Sequence, residues 1–351
     1  MNYKWTLKDA VCTKDKGKVF SCFACGGGST MGYKLAGFDV LGCNEIDPKM
    51  MSAYKTNHSP KYTYLEPIQT FKLRDDLPQE LYELDILDGS PPCSSFSMAG
   101  NREKDWGKEK VFREGQAEQV LDTLFFDFID LAEKLQPKVV IAENVKGLLL
   151  GEAIEYVRKI YEAFDNVGYY VQHWLLDASK MGVPQRRERV FFVALRKDLA
   201  WQFLERVDFF TELPKLTLEF NEPEIPFKDV ETNEIGYNAP PSVISLLEMC
   251  KPGDCCNTHH EKGSFGNYFY INHDRPIGTI TASFKRSSSG YFKKIGEKWC
   301  GITVQEACMC QSFPIDYEFE FDPYYLIGMS VPPLMTAKIA EQVYNQWLSK
   351  I

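Results

Sequence analysis

Apolar positions in the first half of the chain fall into two kinds of run that alternate. Residues 19–23, Val-Phe-Ser-Cys-Phe, read as a short strand, followed by Cys25-Gly26-Gly27-Gly28 and a helix-like segment reaching Leu35. A second strand over 38–43 ends at Asn44-Glu45-Ile46-Asp47. Helical periodicity returns over 121–135, and 138–142 then reads as a buried strand ending at Glu143-Asn144-Val145. A helix over 153–167 and strands over 169–176 and 190–195 follow. This alternation predicts an α/β protein with a doubly wound sheet and helices on both faces. After about residue 198 the pattern breaks. Residues 205–241 are acidic and rich in Pro and Asn, with few periodic apolar positions, and mark a second or inserted domain; helical character resumes over 303–311 and 332–347.

Composition changes this picture little. The chain has 351 residues, 44% hydrophobic and 25% charged, ordinary for a soluble protein with one large domain and a smaller one. No apolar run has the length of a signal peptide or a membrane span, so a cytoplasmic protein with no membrane association is expected. Eleven cysteines read as free thiols in that compartment. Cys250, Cys255, Cys256, His259 and His260 crowd together but match no standard zinc spacing, so no metal is expected. The net charge of −9 excludes a uniformly basic coat, not a local basic groove. Arg102, Lys104, Lys108, Lys110 and Arg113 form one basic run, and Lys285, Arg286, Lys293, Lys294 and Lys298 another; either could equally be a solvated surface.

Two local patterns carry candidate chemistry. Glycines after the first strand let a ligand approach the backbone, the helix that follows offers its positive end, and an acid at Glu45, about 20 residues on, suits a ribose diol. The second is Asp88-Gly89-Ser90-Pro91-Pro92-Cys93-Ser94-Ser95-Phe96-Ser97, where a strand-like approach runs into a proline turn with a cysteine at its tip. Alone, such a cysteine is more often a buried free thiol. Held behind two prolines it is also placed to act as a thiolate nucleophile.

The order of these and later segments resembles the DNA cytosine-5 methyltransferases over nearly the whole length. Residues 20–32 are similar to the family's S-adenosylmethionine loop, and Pro91-Pro92-Cys93-Ser94-Ser95-Phe96-Ser97 to its Pro-Cys-x-x-Phe-Ser motif. Glu143-Asn144-Val145 and Gln185-Arg186-Arg187-Glu188-Arg189 resemble its Glu-Asn-Val and Gln-x-Arg-x-Arg motifs. Arg275-Pro276 with Thr279-Ile280-Thr281, and Gly328-Met329-Ser330-Val331, resemble the ninth and tenth.

The resemblance implies a Rossmann-like S-adenosylmethionine-dependent methyltransferase domain, residues 1–197 plus 325–351, with a smaller target-recognition domain over 198–324, its variable part 198–272. It implies methyl transfer to C5 of a cytosine flipped out of duplex DNA, with Cys93, Glu143, Arg187 and Arg189 catalytic. Cys93 would add to C6, Glu143 would serve N3 and Arg189 O2, with Arg187 supporting the site. Implied cofactor contacts are Phe23, Cys25, Gly27, Gly28, Glu45, Ile46, Glu66, Pro92, Leu124, Met329 and Ser330. Implied DNA contacts are Ser97, Arg102, Arg275, Thr279, Lys285, Arg286, Lys293 and Lys294, with Asn257, Thr258, Lys262 and Asn267 as candidates for target choice. A monomer is expected, with a restriction endonuclease as a functional partner. Three departures stand out: Ser21 where the family often has Asp, Cys25 where the loop's first glycine is expected, and Met329 for an Asn. Rivals are a tRNA-methylating relative, a catalytically silent DNA-binding protein, and a nucleotide-binding oxidoreductase suggested by the Gly-rich unit alone.

Overall fold

The computed structural model describes residues 1–92, 109–110, 119–120, 123–151, 153–208, 211–261, 266–284 and 289–351. Cys93, Ser97, Arg102, Lys262, Lys285 and Arg286 lie outside the described residues. The chain divides into two compact units. One comprises residues 11–176, 188–219 and 336–351; the other comprises 1–10, 177–187 and 220–335.

The apolar runs of the first half become a seven-stranded sheet. Its strands are β1 (Lys18–Cys22), β2 (Asp39–Glu45), β3 (Tyr62–Leu65), β4 (Ile86–Gly89), β5 (Val139–Val145), β6 (Tyr169–Asp177) and β7 (Glu188–Arg196). Their order across the sheet is β3-β2-β1-β4-β5-β7-β6. From β3 to β5 the neighbours are parallel, and β7 runs antiparallel to β5. Strands covered on both faces read as continuous apolar runs, which is why 19–23 and 138–142 were legible.

The helices α1 (Gly28–Leu35), α2 (Pro48–His58), α3 (Ile68–Phe71), α4 (Leu124–Leu135) and α5 (Ala153–Asn166) alternate with these strands. Phe125, Phe128 and Leu131 of α4 and Ile160 and Phe164 of α5 join Phe20, Leu87, Val140 and Phe192 in one buried cluster. The chain moves outward through β1, β2 and β3, then returns to β4. The strand order therefore reverses between β1 and β4, and in open α/β sheets ligands bind outside the carboxyl ends at such a reversal.

The other unit holds α6 (Pro241–Leu247), α7 (Val304–Cys310) and α8 (Pro323–Met329). Its three-stranded sheet follows chain order, Asn267–Tyr270, Ser289–Ile295 and Lys298–Gly301. Val243, Leu247, Cys256, Tyr268, Phe292 and Trp299 form its core. Of these elements α7 was legible in sequence, as helical character over 303–311, and the structure adds a capping box at its start, with Thr303 and Glu306 each accepting from the other's backbone N–H.

One expectation is corrected here. Lys293 is not a surface cation available to phosphate: it is 0% exposed. Its Nζ donates to a Glu306 carboxylate oxygen and, at 2.7 Å, to the Thr232 carbonyl. Lys294, its neighbour, is exposed, with its ammonium 5.6 Å from the Trp299 ring centre. Among the described residues no helix is long and apolar enough to cross a membrane, and no group of three or more His, Cys, Asp or Glu is arranged to hold a metal ion.

Candidate active site

The turn after β1 is shaped by its backbone. Phe23 and Cys25 lie in the left-handed region, with φ of 53° and 48°, and Gly27 has φ of 84°. A Cβ built on Gly27 would fall 2.1 Å from His58 Nε2, so the position admits only glycine. Cys25 takes the conformation for which the family's glycine is suited, at a steric cost of about 1–2 kcal/mol. His58 supports the turn from below: its ring nitrogen donates to the Gly26 carbonyl at 3.0 Å, and burial pushes its imidazole down to about 3. It is therefore a neutral donor, and nothing in the sequence pattern marked it.

Glu45 ends β2 beside this turn. Its Oε2 accepts the Cys25 N–H at 2.8 Å, and its Oε1 accepts those of Ile46 and Asp47 at 2.8 and 2.9 Å. Burial raises its pKa, against the pull of those three donors. Asp47 caps α2 through its side chain. One carboxylate thus ties both turns together and retains acceptor capacity for a ribose hydroxyl. The backbone-lined turn, the start of α1 and an acid at the next strand's end fit a nucleoside cofactor. We expect Glu45→Ala to weaken S-adenosylmethionine binding at least about tenfold, the worth of one charge-assisted hydrogen bond; calorimetric titration checks it.

Glu66 follows β3, where its carboxylate accepts from Arg74 at 3.0 Å, while its own N–H reaches the Glu45 carbonyl at 3.1 Å. Leu124 is fully buried at the start of α4, in the core cluster with Phe125 and Phe128. Pro92 is half-buried. The Asn144 amide donates to the Pro91 carbonyl at 3.1 Å, which joins the Glu-Asn-Val strand end to the proline turn.

Next to Asn144, Glu143 Oε1 accepts from Arg189 Nε at 2.9 Å, with both side chains largely buried. The two residues come from adjacent antiparallel strands, where Val145 pairs with Arg189 and Glu143 with Phe191. A carboxylate and a guanidinium are thereby held side by side at the carboxyl end of β5.

Arg187 belongs to the other unit and does different work. It is 2% exposed. Nη1 donates to the Ile280 carbonyl at 2.9 Å, and Nη2 to those of Gly328 and Ser330 at 2.9 and 3.0 Å. Gln185 accepts the Ile280 N–H at 3.0 Å and donates to Gln311, whose amide reaches the Ser330 carbonyl at 2.7 Å. The three late motifs are one hydrogen-bonded joint. Arg187 is a positioning residue within it rather than a group facing a substrate. Ser330 is buried in the joint, and Met329 beside it is 36% exposed.

The same unit carries a cleft of about 720 Å³, whose lining includes Arg186, Asp254, Asn272, Arg275, Thr279 and Tyr291. Thr279 donates to the Arg186 carbonyl at 2.9 Å, and Arg186 is partly offset by Glu224 at 3.2 Å. Arg275 is exposed. The structure thus brings together Arg275 and Thr279, and adds Arg186, Asp254 and Asn272 to the candidates for target reading.

Comparisons with known proteins place the chain among methyltransferases. The chain is 28% identical over 350 residues to the Type II methyltransferase M.NgoPII of Neisseria gonorrhoeae, covering 93% of this chain and 95% of that protein. It is 28% identical over 361 residues to M.FnuDI of Fusobacterium nucleatum, covering 93% and 94%. Its fold matches a crystal structure of a Spodoptera frugiperda DNMT2 mutant with a TM-score of 0.63 at 20% identity, covering 92% of this chain and 99% of that one. The sheet is that of a Rossmann-like methyltransferase. With residues 17–345 matched by its family model, the chain belongs to the C-5 cytosine-specific DNA methylases and is an enzyme of that class, a DNA (cytosine-5-)-methyltransferase.

Proposed function

We propose that the protein methylates C5 of one cytosine within a short duplex DNA sequence, through a covalent bond between Cys93 and C6 of a base flipped from the helix. The observation that carries this reading is the Glu143–Arg189 pair at the end of β5, beside the strand end whose Pro91 is held by Asn144. Cytosine C5 is a weak nucleophile until something adds at C6. A Cys93 thiolate forming the Sγ–C6 bond drives density toward N3 and O2, where Glu143 shares a proton with N3 and Arg189 stabilises charge at O2. C5 then takes the methyl group. Transfer of the C5 proton to solvent water then expels Sγ as the thiolate and restores the 5,6 double bond. When bound, S-adenosylmethionine supplies that methyl group from its sulfonium.

Residues 1–197 with 325–351 carry the catalytic role in this reading, and 198–324 recognises the target. The compact unit holding most of 198–324 also includes 1–10, 177–187 and 325–335, so the joint at Arg187 is part of its frame. Arg275, Thr279 and Lys294, with Lys285 and Arg286, meet phosphates, while side chains lining the cleft read bases. The relatives are named Type II methyltransferases, which supports a cytoplasmic enzyme working opposite a restriction endonuclease.

The test is transfer of labelled methyl groups to duplex DNA and to tRNA in parallel, with bisulfite sequencing of DNA from an expressing host. Label in DNA and one protected sequence are expected. Label in tRNA alone overturns the reading.

A further inference from the structure

Asp88 is a buried acid that the mechanism above does not use. It lies on β4, five positions before Cys93, and is 4% exposed. Three hydroxyls donate to it: Ser21 Oγ at 2.6 Å, Ser29 Oγ at 2.7 Å and Tyr33 OH at 3.1 Å. Ser21 pairs directly with Asp88 across the parallel β1–β4 ladder, and Ser29 and Tyr33 come from α1. All four residues surround the strand-order reversal, beneath the turn that opens the cofactor site.

Three donors converging on one carboxylate favour its ionised form, whereas burial opposes it. The balance puts its pKa at about 6, so it is charged at neutral pH. A charge removed from water and salt acts at longer range than a surface one. S-adenosylmethionine carries a positive sulfonium, and its demethylated product, S-adenosylhomocysteine, is a neutral thioether.

We propose that Asp88 is a buried anion that biases the cofactor site toward the cationic methyl donor and against its neutral product. The proposal rests on the methyl-transfer reading. It makes Asp88 a positioning and charge-selecting residue, one that lowers product retention without touching the reacting carbon. It also accounts for Ser21: the carboxylate expected on β1 stands instead on β4, one hydrogen bond away.

The pH dependence follows from the groups around it. Cys22 on β1 and Tyr33 on α1 are pushed well above their usual ranges by burial, so both stay neutral. Glu143 on β5 is the acidic neighbour, paired with Arg189. As pH falls through about 6, Asp88 gains a proton and the preference for the cation fades.

The experiment is calorimetric titration of the full-length protein with S-adenosylmethionine and with S-adenosylhomocysteine, between about pH 5 and 8. In the unaltered protein the ratio of the two affinities should fall as the pH drops through about 6. Asp88→Asn should raise the Kd for S-adenosylmethionine about tenfold, or about 1.4 kcal/mol, with the Kd for S-adenosylhomocysteine changed less than about twofold and the pH response lost. The exchange Ser21→Asp with Asp88→Ser should restore the preference. It also serves if Asp88→Asn does not fold, as does the pH series on the unaltered chain. Equal weakening of both ligands in Asp88→Asn, or a flat ratio across pH, overturns the role of Asp88. Binding of neither ligand by the unaltered protein overturns the methyl-transfer reading itself.

Discussion

Cys93→Ala is expected to abolish methyl transfer to duplex DNA while S-adenosylmethionine binding and the folded spectrum stay within error of the parent. The reason is chemical. Without addition at C6 the ring carbon has no enamine character, and no other group in the proposed mechanism supplies it. Loss of a covalent nucleophile removes the whole pathway, so the rate should fall by more than about 10⁴-fold, beyond the 10²–10⁴ that a general acid or base provides. The complementary measurement is trapping: duplex DNA containing 5-fluorocytosine cannot release the C5 substituent, so the parent protein should accumulate a denaturation-resistant adduct and the variant none. An active Cys93→Ala protein would overturn the mechanism.

Lys293→Met is expected to cost about 3–5 kcal/mol of stability, because it strands a buried Glu306 carboxylate. Both partners are completely buried. The Glu306 carboxylate also accepts from the N–H and hydroxyl of Thr232 and from the Thr303 N–H, so it cannot turn toward water. Adding Glu306→Gln removes the charge and keeps one accepting oxygen for the Thr232 donors, so it should recover part of the loss. Urea denaturation of the single and double variants measures this. On surviving folded protein, Lys293→Met should leave the salt dependence of DNA binding unchanged. Lys294→Ala should flatten its log–log slope by about one phosphate contact. A Lys293 variant of parental stability would show that the ion pair contributes nothing to folding.

These adjacent lysines show where sequence reading stops. Both sit in one basic run, and nothing in that run marks which is enclosed. The answer depends on a partner, Glu306, brought in by a helix that was legible over 303–311 although neither its capping box nor its buried ion pair was. By contrast, β1, β2, β5 and β7 were readable because a sheet covered on both faces needs unbroken apolar runs. The three-stranded sheet of the other unit mixes aromatic, charged and glycine positions and gave no such signal. In the candidate site, Glu45, Glu143 and Arg189 were legible as motif residues, and the structure supplies their pairings. Asp88 and His58 were not singled out. Their significance comes from what converges on them: three hydroxyls in one case, a glycine turn in the other.

The joint built by Gln185, Arg187 and Gln311 has a practical bearing on the redesign of target choice. Main-chain carbonyls at positions 280, 328 and 330 are all held by side chains from 185–187 and 311, and a Cβ on Gly328 would fall 2.4 Å from the Thr281 carbonyl. In the proposed reading, a recognition segment grafted from a related enzyme should therefore keep its seams outside 277–281 and 328–330, and retain Thr232, which holds buried Lys293 and Glu306. A seam inside 277–281 or 328–330 would join halves of a lock cut for different keys, and the hybrid would fail in folding before its specificity could be read.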